Sequence, residues 1–237
     1  RSSAASDVYK RQISTRDAAI AGFDMILHAT YMDDEALKAV VDRKVPLVPT
    51  FTFQANLADF GAAIGTDENL REVFRAEITE SVGTLRAAFD AGVPLATGSE
   101  SGFSLTPYGD WHYRELQVFV EDLGMTPLQA INSATEQGAR ALKLEGELGC
   151  IKPDYLADIL IFDGDPETHI TQLGDADRFR HIIKDGQLID TSTRLPKEWQ
   201  LPGWRVSEYS ERILTKELVQ SMGCLLYTSP SPRDLWI

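Results

Sequence analysis

The sequence predicts an α/β protein whose parallel sheet is covered by helices. Two observations carry this. Helical periodicity alternates with short, almost continuously apolar runs from about Arg16 to Leu142, and from Gly146 onward the pattern switches to short strands joined by tight turns. An open doubly wound sheet and a closed barrel would both show this alternation.

Taken in order, Arg16 to Ala21 end a helix closed by Gly22, and the apolar run Phe23 to Leu27 forms a buried strand that stops at His28. Asp33 caps the next helix, where Leu37, Val40 and Val41 make one apolar stripe. Val45 to Thr50 is the second strand, with Pro46 and Pro49 near its ends. Asp67 opens a longer helix with apolar positions Leu70, Val73, Phe74, Ile78, Val82, Leu85 and Phe89, and Gly92 ends it before the third strand, Val93 to Thr97. The loop Gly98 to Gly109 leads to a helix from about Trp111 to Leu123. Thr126-Pro127-Leu128-Gln129 is a capping box with proline at the first helical position, and it starts a helix reaching about Leu142.

The short strands are Ala157 to Phe162, Arg180 to Lys184 and Gln187 to Asp190, the last two joined by the two-residue hairpin signal Asp185-Gly186. Leu195 to Gly223, with Trp199 and Trp204, has weak periodicity apart from a helix expected at Glu208 to Val219.

Both ends read as library adapter. Asp7 to Gln12 can be encoded by GATGTGTATAAGAGACAG, whose reverse complement is CTGTCTCTTATACACATC. Shifted by one base, that complement encodes the Cys224-Leu225-Leu226-Tyr227-Thr228-Ser229 found near the other end. Residues 1–12 and about 224–237 are therefore expected to be non-native and are set aside from fold reasoning.

The formal net charge of −13 argues against a nucleic-acid groove or an anionic membrane surface as partner. Between the adapter-like ends Cys150 stands alone, so no internal disulfide is expected and no secretory framework is implied. No apolar run is long enough to span a bilayer. The compartment stays open, with the cytoplasm slightly favoured.

Several residues could carry chemistry. His28 stands where an apolar strand ends, and the C-terminal ends of parallel strands are where ligands and catalytic groups collect; a lone histidine is otherwise more often structural. Glu100 follows the third strand within Gly98-Ser99-Glu100-Ser101-Gly102, where a carboxylate can ligate a divalent cation or take a proton from water. The bland alternative is a solvated loop glutamate. Ser99 and Ser101 could orient it. Tyr108, Trp111 and His112 follow, where an aromatic ring and an imidazole could line a pocket, and Phe51 and Phe53 suit a pocket wall or plain packing. His169 and His181 are expected at the surface.

Together these stretches resemble the amidohydrolase superfamily, especially its imidazolonepropionase-like and Xaa-Pro dipeptidase-like branch. Ala21-Gly22-Phe23-Asp24-Met25-Ile26-Leu27-His28 is similar to the family's sixth strand, Val45 to Phe51 to the seventh, and Gly98 to Gly102 to the eighth. Met125 to Ile131 with Ala134-Thr135 is similar to a stretch found in very many members, and Gly149 to Pro153, Leu156 to Leu160 and Gly164-Asp165-Pro166 resemble the segment where the family's chain rejoins its small β domain.

The resemblance implies the C-terminal part of a (β/α)8 TIM barrel plus part of a small β-sandwich domain. Residues 13–145 would be the last three βα units, 146–195 the returning segment and 196–223 a tail. It implies a hydrolase cutting amide, cyclic amide or dipeptide C–N bonds through a metal-activated water, with one or two divalent metals, zinc first among them. His28 would be a metal ligand, and Glu100 a ligand and proton acceptor, where the family has aspartate. Phe53, Tyr108 and His112 would shape the pocket for a small-molecule substrate. Nucleic acid and membrane are not expected as partners; a homo-oligomer is compatible.

The extra methylene of Glu100 carries its carboxylate outward by roughly 1.5 Å, so the loop must withdraw for it to ligate. The family's remaining ligands, on its first, fourth and fifth strands, would lie upstream, and this stretch alone is expected to be inactive. A reading from another class is a non-catalytic barrel that binds a small molecule over a degraded metal site.

Overall fold

The structure, a computed structural model, describes residues 13–192 and 212–222. The adapter-like ends, Trp199, Trp204 and the first four residues of the expected Glu208 to Val219 helix lie outside the described residues.

Residues 13–21 form helix α1. Gly22, at φ 81°, closes it, and the Phe23 N–H returns to the Ala18 carbonyl at 3.2 Å. Strand β1 (Ile26–Leu27) pairs in parallel with β2 (Leu47–Val48), and a single bridge from Leu47 to Leu95 adds the third parallel segment on the far side of β2. The strands are far shorter than the apolar runs that predict them. Helix α2 (Asp34–Arg43) joins β1 to β2; Asp33 caps it by accepting from the Ala36 N–H at 2.8 Å.

Between β2 and the long helix lies an element that the hydrophobic pattern leaves unmarked, helix α3 (Phe51–Phe60), buried from Phe51 through Ala58. Its apolar residues fall on every face, so it lacks the one-sided stripe by which an amphipathic helix is recognised. Helix α4 (Glu68–Asp90) starts at the expected Asp67 cap and packs against α2 and α3. Ile78 and Leu85 are buried, whereas Val73 faces solvent.

After the Gly98 loop, α5 (Tyr113–Glu121) packs on α3 and α6 (Pro127–Ala134). The capping box is present as predicted, but the helix it starts breaks at Thr135, at φ −121° and ψ −90°, and resumes as α7 (Glu136–Ala141).

A separate antiparallel sheet is ordered β3 (Ile159–Phe162), β4 (Phe179–Lys184), β5 (Gln187–Leu188). Its hairpin turns at Asp185 and Gly186, both at positive φ, as a type I′ turn requires. The last described segment carries α8 (Lys216–Ser221), which begins eight residues beyond the expected start because Thr215 caps it there. Leu214, fully buried, accepts from the Trp111 indole N–H at 2.9 Å and ties this segment to the core. No helix among the described residues is long and apolar enough to cross a membrane.

Candidate active site

The parallel segments deliver their C-terminal ends to one place. The His28 N–H donates to the Val48 carbonyl at 2.7 Å, which extends the β1–β2 ladder by one rung, and His28 itself then turns into left-handed backbone at φ 67°. On the other side of β2, the Leu95 segment runs into Gly98. A Cβ at Gly98 would stand 2.6 Å from Val48 Cγ1 and 2.7 Å from Thr50 Cγ2, so only glycine lets the loop lie this close to β2. Two residues on, Glu100 adopts φ 51°, and its Oε1 ends 3.8 Å from His28 Nε2. The glutamate side chain thus reaches the imidazole from left-handed backbone in this loop. The His28 side chain is half exposed and that of Glu100 more than a third exposed, open to a ligand.

The pair opens on a cavity of about 770 Å³ lined also by Phe53, Gln54, Phe74, Glu77 and Phe103. Phe53 makes edge-to-face contacts with Phe74 at 6.0 Å and with Phe103 at 5.6 Å, so the three rings form one apolar wall. Gln54 Oε1 is buried without a hydrogen-bond partner, and the Thr30 hydroxyl lies 3.5 Å from Glu77 Oε1.

Of the residues singled out in the sequence, the structure brings together His28, Glu100 and Phe53. Tyr108 and His112 do not line that cavity. They stand behind the Glu100 loop: His112 Nδ1 is 3.0 Å from Ser99 Oγ, which is 2.7 Å from Ser101 Oγ, while Tyr108 lies against Gly102. Phe51 is fully buried in the core, and His169 and His181 are at the surface, as expected.

Two residues escaped the sequence reading. Thr50, at the end of β2, contacts His28 Nδ1 through its hydroxyl at 2.5 Å. Glu115, with no exposed surface, accepts from Phe51 N–H at 3.0 Å, Thr52 N–H at 2.7 Å and the Thr52 hydroxyl at 2.9 Å. Burial pushes its carboxyl up to about 7, against the pull of those donors. The signal for Glu115 was visible: it stands four residues from both Trp111 and Phe119, a charged position inside the buried stripe of its helix.

As a metal site the pair is suited to supply two donors. Zinc bonds to imidazole nitrogen and carboxylate oxygen of roughly 2.0–2.2 Å at a tetrahedral angle separate the two ligand atoms by about 3.4 Å, so a small side-chain rotation closes the observed gap. No group of three or more histidine, cysteine or acidic side chains capable of holding a metal occurs among the described residues.

Residues 12–189 match the sequence model of the amidohydrolase family. The chain is 26% identical over 171 residues to an ochratoxinase of Aspergillus niger, covering 71% of this chain and 34% of that protein. It is 28% identical over 163 residues to an imidazolonepropionase of Nocardia farcinica, covering 68% of this chain and 35% of that protein. Among solved structures it is similar to a Xaa-Pro dipeptidase with methionine bound in the active site, at 30% identity and a TM-score of 0.63, over 76% of this chain and 43% of the dipeptidase. The chain thus spans about a third of the length of the curated relatives it matches.

Proposed function

This chain belongs to the amidohydrolase family, and from that premise we propose that the full-length protein is a metal-dependent hydrolase of carbon–nitrogen bonds in amides, cyclic amides or dipeptides. The observation that carries the proposal is the approach of His28 Nε2 to Glu100 Oε1 at 3.8 Å, from the ends of two parallel segments flanking β2. An imidazole and a carboxylate so placed are donors suited to a divalent cation, with zinc the first candidate.

On this reading the parallel segments are the last strands of a (β/α)8 barrel. In support, β1 pairs with β2 alone among the described residues, and Phe23 and Leu27 beside it are 63% and 54% exposed. That apolar surface is what a preceding strand and helix of a barrel would cover.

His28 and Glu100 would hold the cation, which when bound lowers the pKa of a coordinated water and polarises the scissile carbonyl. The chain's own groups then divide the work. Glu100, with Oε1 turned to His28, keeps its second oxygen to accept a proton as water adds to the carbonyl carbon, and returns that proton to the nitrogen as the C–N bond breaks. The Phe53, Phe74 and Phe103 wall takes an apolar substituent and excludes bulk water. Gln54 Oε1 offers an acceptor to a substrate N–H, in keeping with an amide or dipeptide. Tyr108 and His112 would act through the Ser99–Ser101 loop that carries Glu100.

The test is turnover by the purified full-length protein on a panel of N-acyl amino acids, cyclic amides and dipeptides, before and after chelation and after zinc is restored. Chelator-sensitive hydrolysis regained with zinc supports the proposal. Tight substrate binding with no hydrolysis under any metal supports the non-catalytic binding barrel instead.

A further inference from the structure

Thr50 is diverted from the ordinary duty of its position. A threonine at the start of a helix usually turns its hydroxyl onto the N–H groups of the first turn, yet Thr50, at φ 60° and ψ 43°, makes no such bond to α3. Left-handed backbone is a strained state for a β-branched residue and persists only where its surroundings enforce it. The vacant cap is filled from another helix: Glu115 accepts the Phe51 and Thr52 N–H groups in its place.

The hydroxyl so released lies 2.6 Å from the Pro49 carbonyl and 2.5 Å from His28 Nδ1. A hydroxyl has one proton, and a carbonyl oxygen can only accept. Placing the proton toward Pro49 leaves Thr50 Oγ1 as the acceptor for His28, and Nδ1 as the ring nitrogen that carries hydrogen. The opposite placement would leave two acceptor oxygens facing one another at 2.6 Å. A neutral imidazole has a single N–H, so Nε2 presents a bare lone pair toward Glu100 Oε1, 3.8 Å away.

We propose that Thr50 is a positioning residue for His28: its hydroxyl fixes the Nδ1–H tautomer and the ring's direction, so that Nε2 stands ready as a ligand before any cation arrives. The left-handed turn and the borrowed Glu115 cap are the devices that free the hydroxyl for this task. The benefit to metal binding rests on the assignment of His28 as a ligand; the tautomer itself does not.

The experiment uses the metal-free full-length protein labelled with 15N-histidine. Long-range 1H–15N correlation spectra show which ring nitrogen is protonated. His28, identified by its absence from a His28→Ala spectrum, is expected as the Nδ1–H form in wild type and in Thr50→Ser. In Thr50→Val, which keeps the branched shape and loses the acceptor, the Nε2–H form should grow. Zinc affinity should fall about 10–100-fold in Thr50→Val and recover in Thr50→Ser. Nε2–H in wild type overturns the proposal without recourse to any variant, and so does a Thr50→Val protein with unchanged tautomer and zinc affinity. If His28→Ala binds zinc as tightly as wild type, the ligand assignment fails, and the wild-type tautomer still decides whether Thr50 positions the ring.

Discussion

His28 and Glu100 meet across a strand that belongs to neither: the imidazole comes from the end of β1, the carboxylate from the loop after the Leu95 segment, and β2 lies between the two. The end of β2 supplies Thr50, which touches the ring from below, so three successive parallel segments each contribute a group to the arrangement. Contacts of this kind are made by side chains far apart in sequence, and each can be removed singly.

Glu100→Gln keeps the shape of the side chain and removes its charge and basicity. In the full-length protein kcat is expected to fall by about 10²–10⁴, with a lower metal content by elemental analysis. Unchanged turnover takes Glu100 out of the mechanism.

His28→Ala removes the proposed ligand without disturbing the core, since the ring is half exposed. The purified variant should carry less metal than wild type at equal total zinc. A fully loaded variant refutes the assignment of His28 as a ligand.

Glu115 makes stability depend on pH. Its carboxyl titrates at about 7 in the folded protein against an ordinary 4.5, so the folded state favours the protonated form. The stabilisation is complete below about 4.5 and is lost as pH rises to about 7, a difference on the order of 3 kcal/mol. Thermal unfolding of the full-length protein should show Tm falling across this window and levelling above it. Glu115→Gln should flatten the slope while lowering Tm at acid pH, because the amide cannot accept all three donors; a slope unchanged by the substitution would rule out Glu115 as its source.

Gly98→Ala should destabilise by about 1–3 kcal/mol, because the new methyl would meet Val48 Cγ1 and Thr50 Cγ2 inside contact distance. Displacing Thr50 should weaken zinc binding as well. Retention of wild-type Tm and affinity would show that the loop has room the structure does not display.

What the sequence shows and what it hides follow from how far apart the interacting groups lie. Caps are written locally: Asp33, Asp67 and the Thr126–Gln129 box stand where they were predicted, because each bonds to backbone only a few residues away. The Asp185-Gly186 hairpin is equally local. His28, Glu100 and Phe53 could be singled out from strand ends, and the structure gathers them at one cavity. Helix α3 could not be read, since it is buried on all sides and carries no periodic stripe. The Thr50 and Glu115 roles escaped for another reason. The α3 cap is borrowed from a helix that begins more than fifty residues later, and no spacing rule reaches so far. Tyr108 and His112 were placed by sequence proximity to Glu100, but the turn at Gly102 carries them to the back of its loop.

Anomalous X-ray scattering at the zinc absorption edge, from crystals of the full-length protein grown with zinc, tests the central claim most directly. A peak about 2.0–2.2 Å from both His28 Nε2 and a Glu100 carboxylate oxygen is the predicted result. Zinc bound elsewhere in an active enzyme, with these two side chains turned apart and nothing between them, would contradict it.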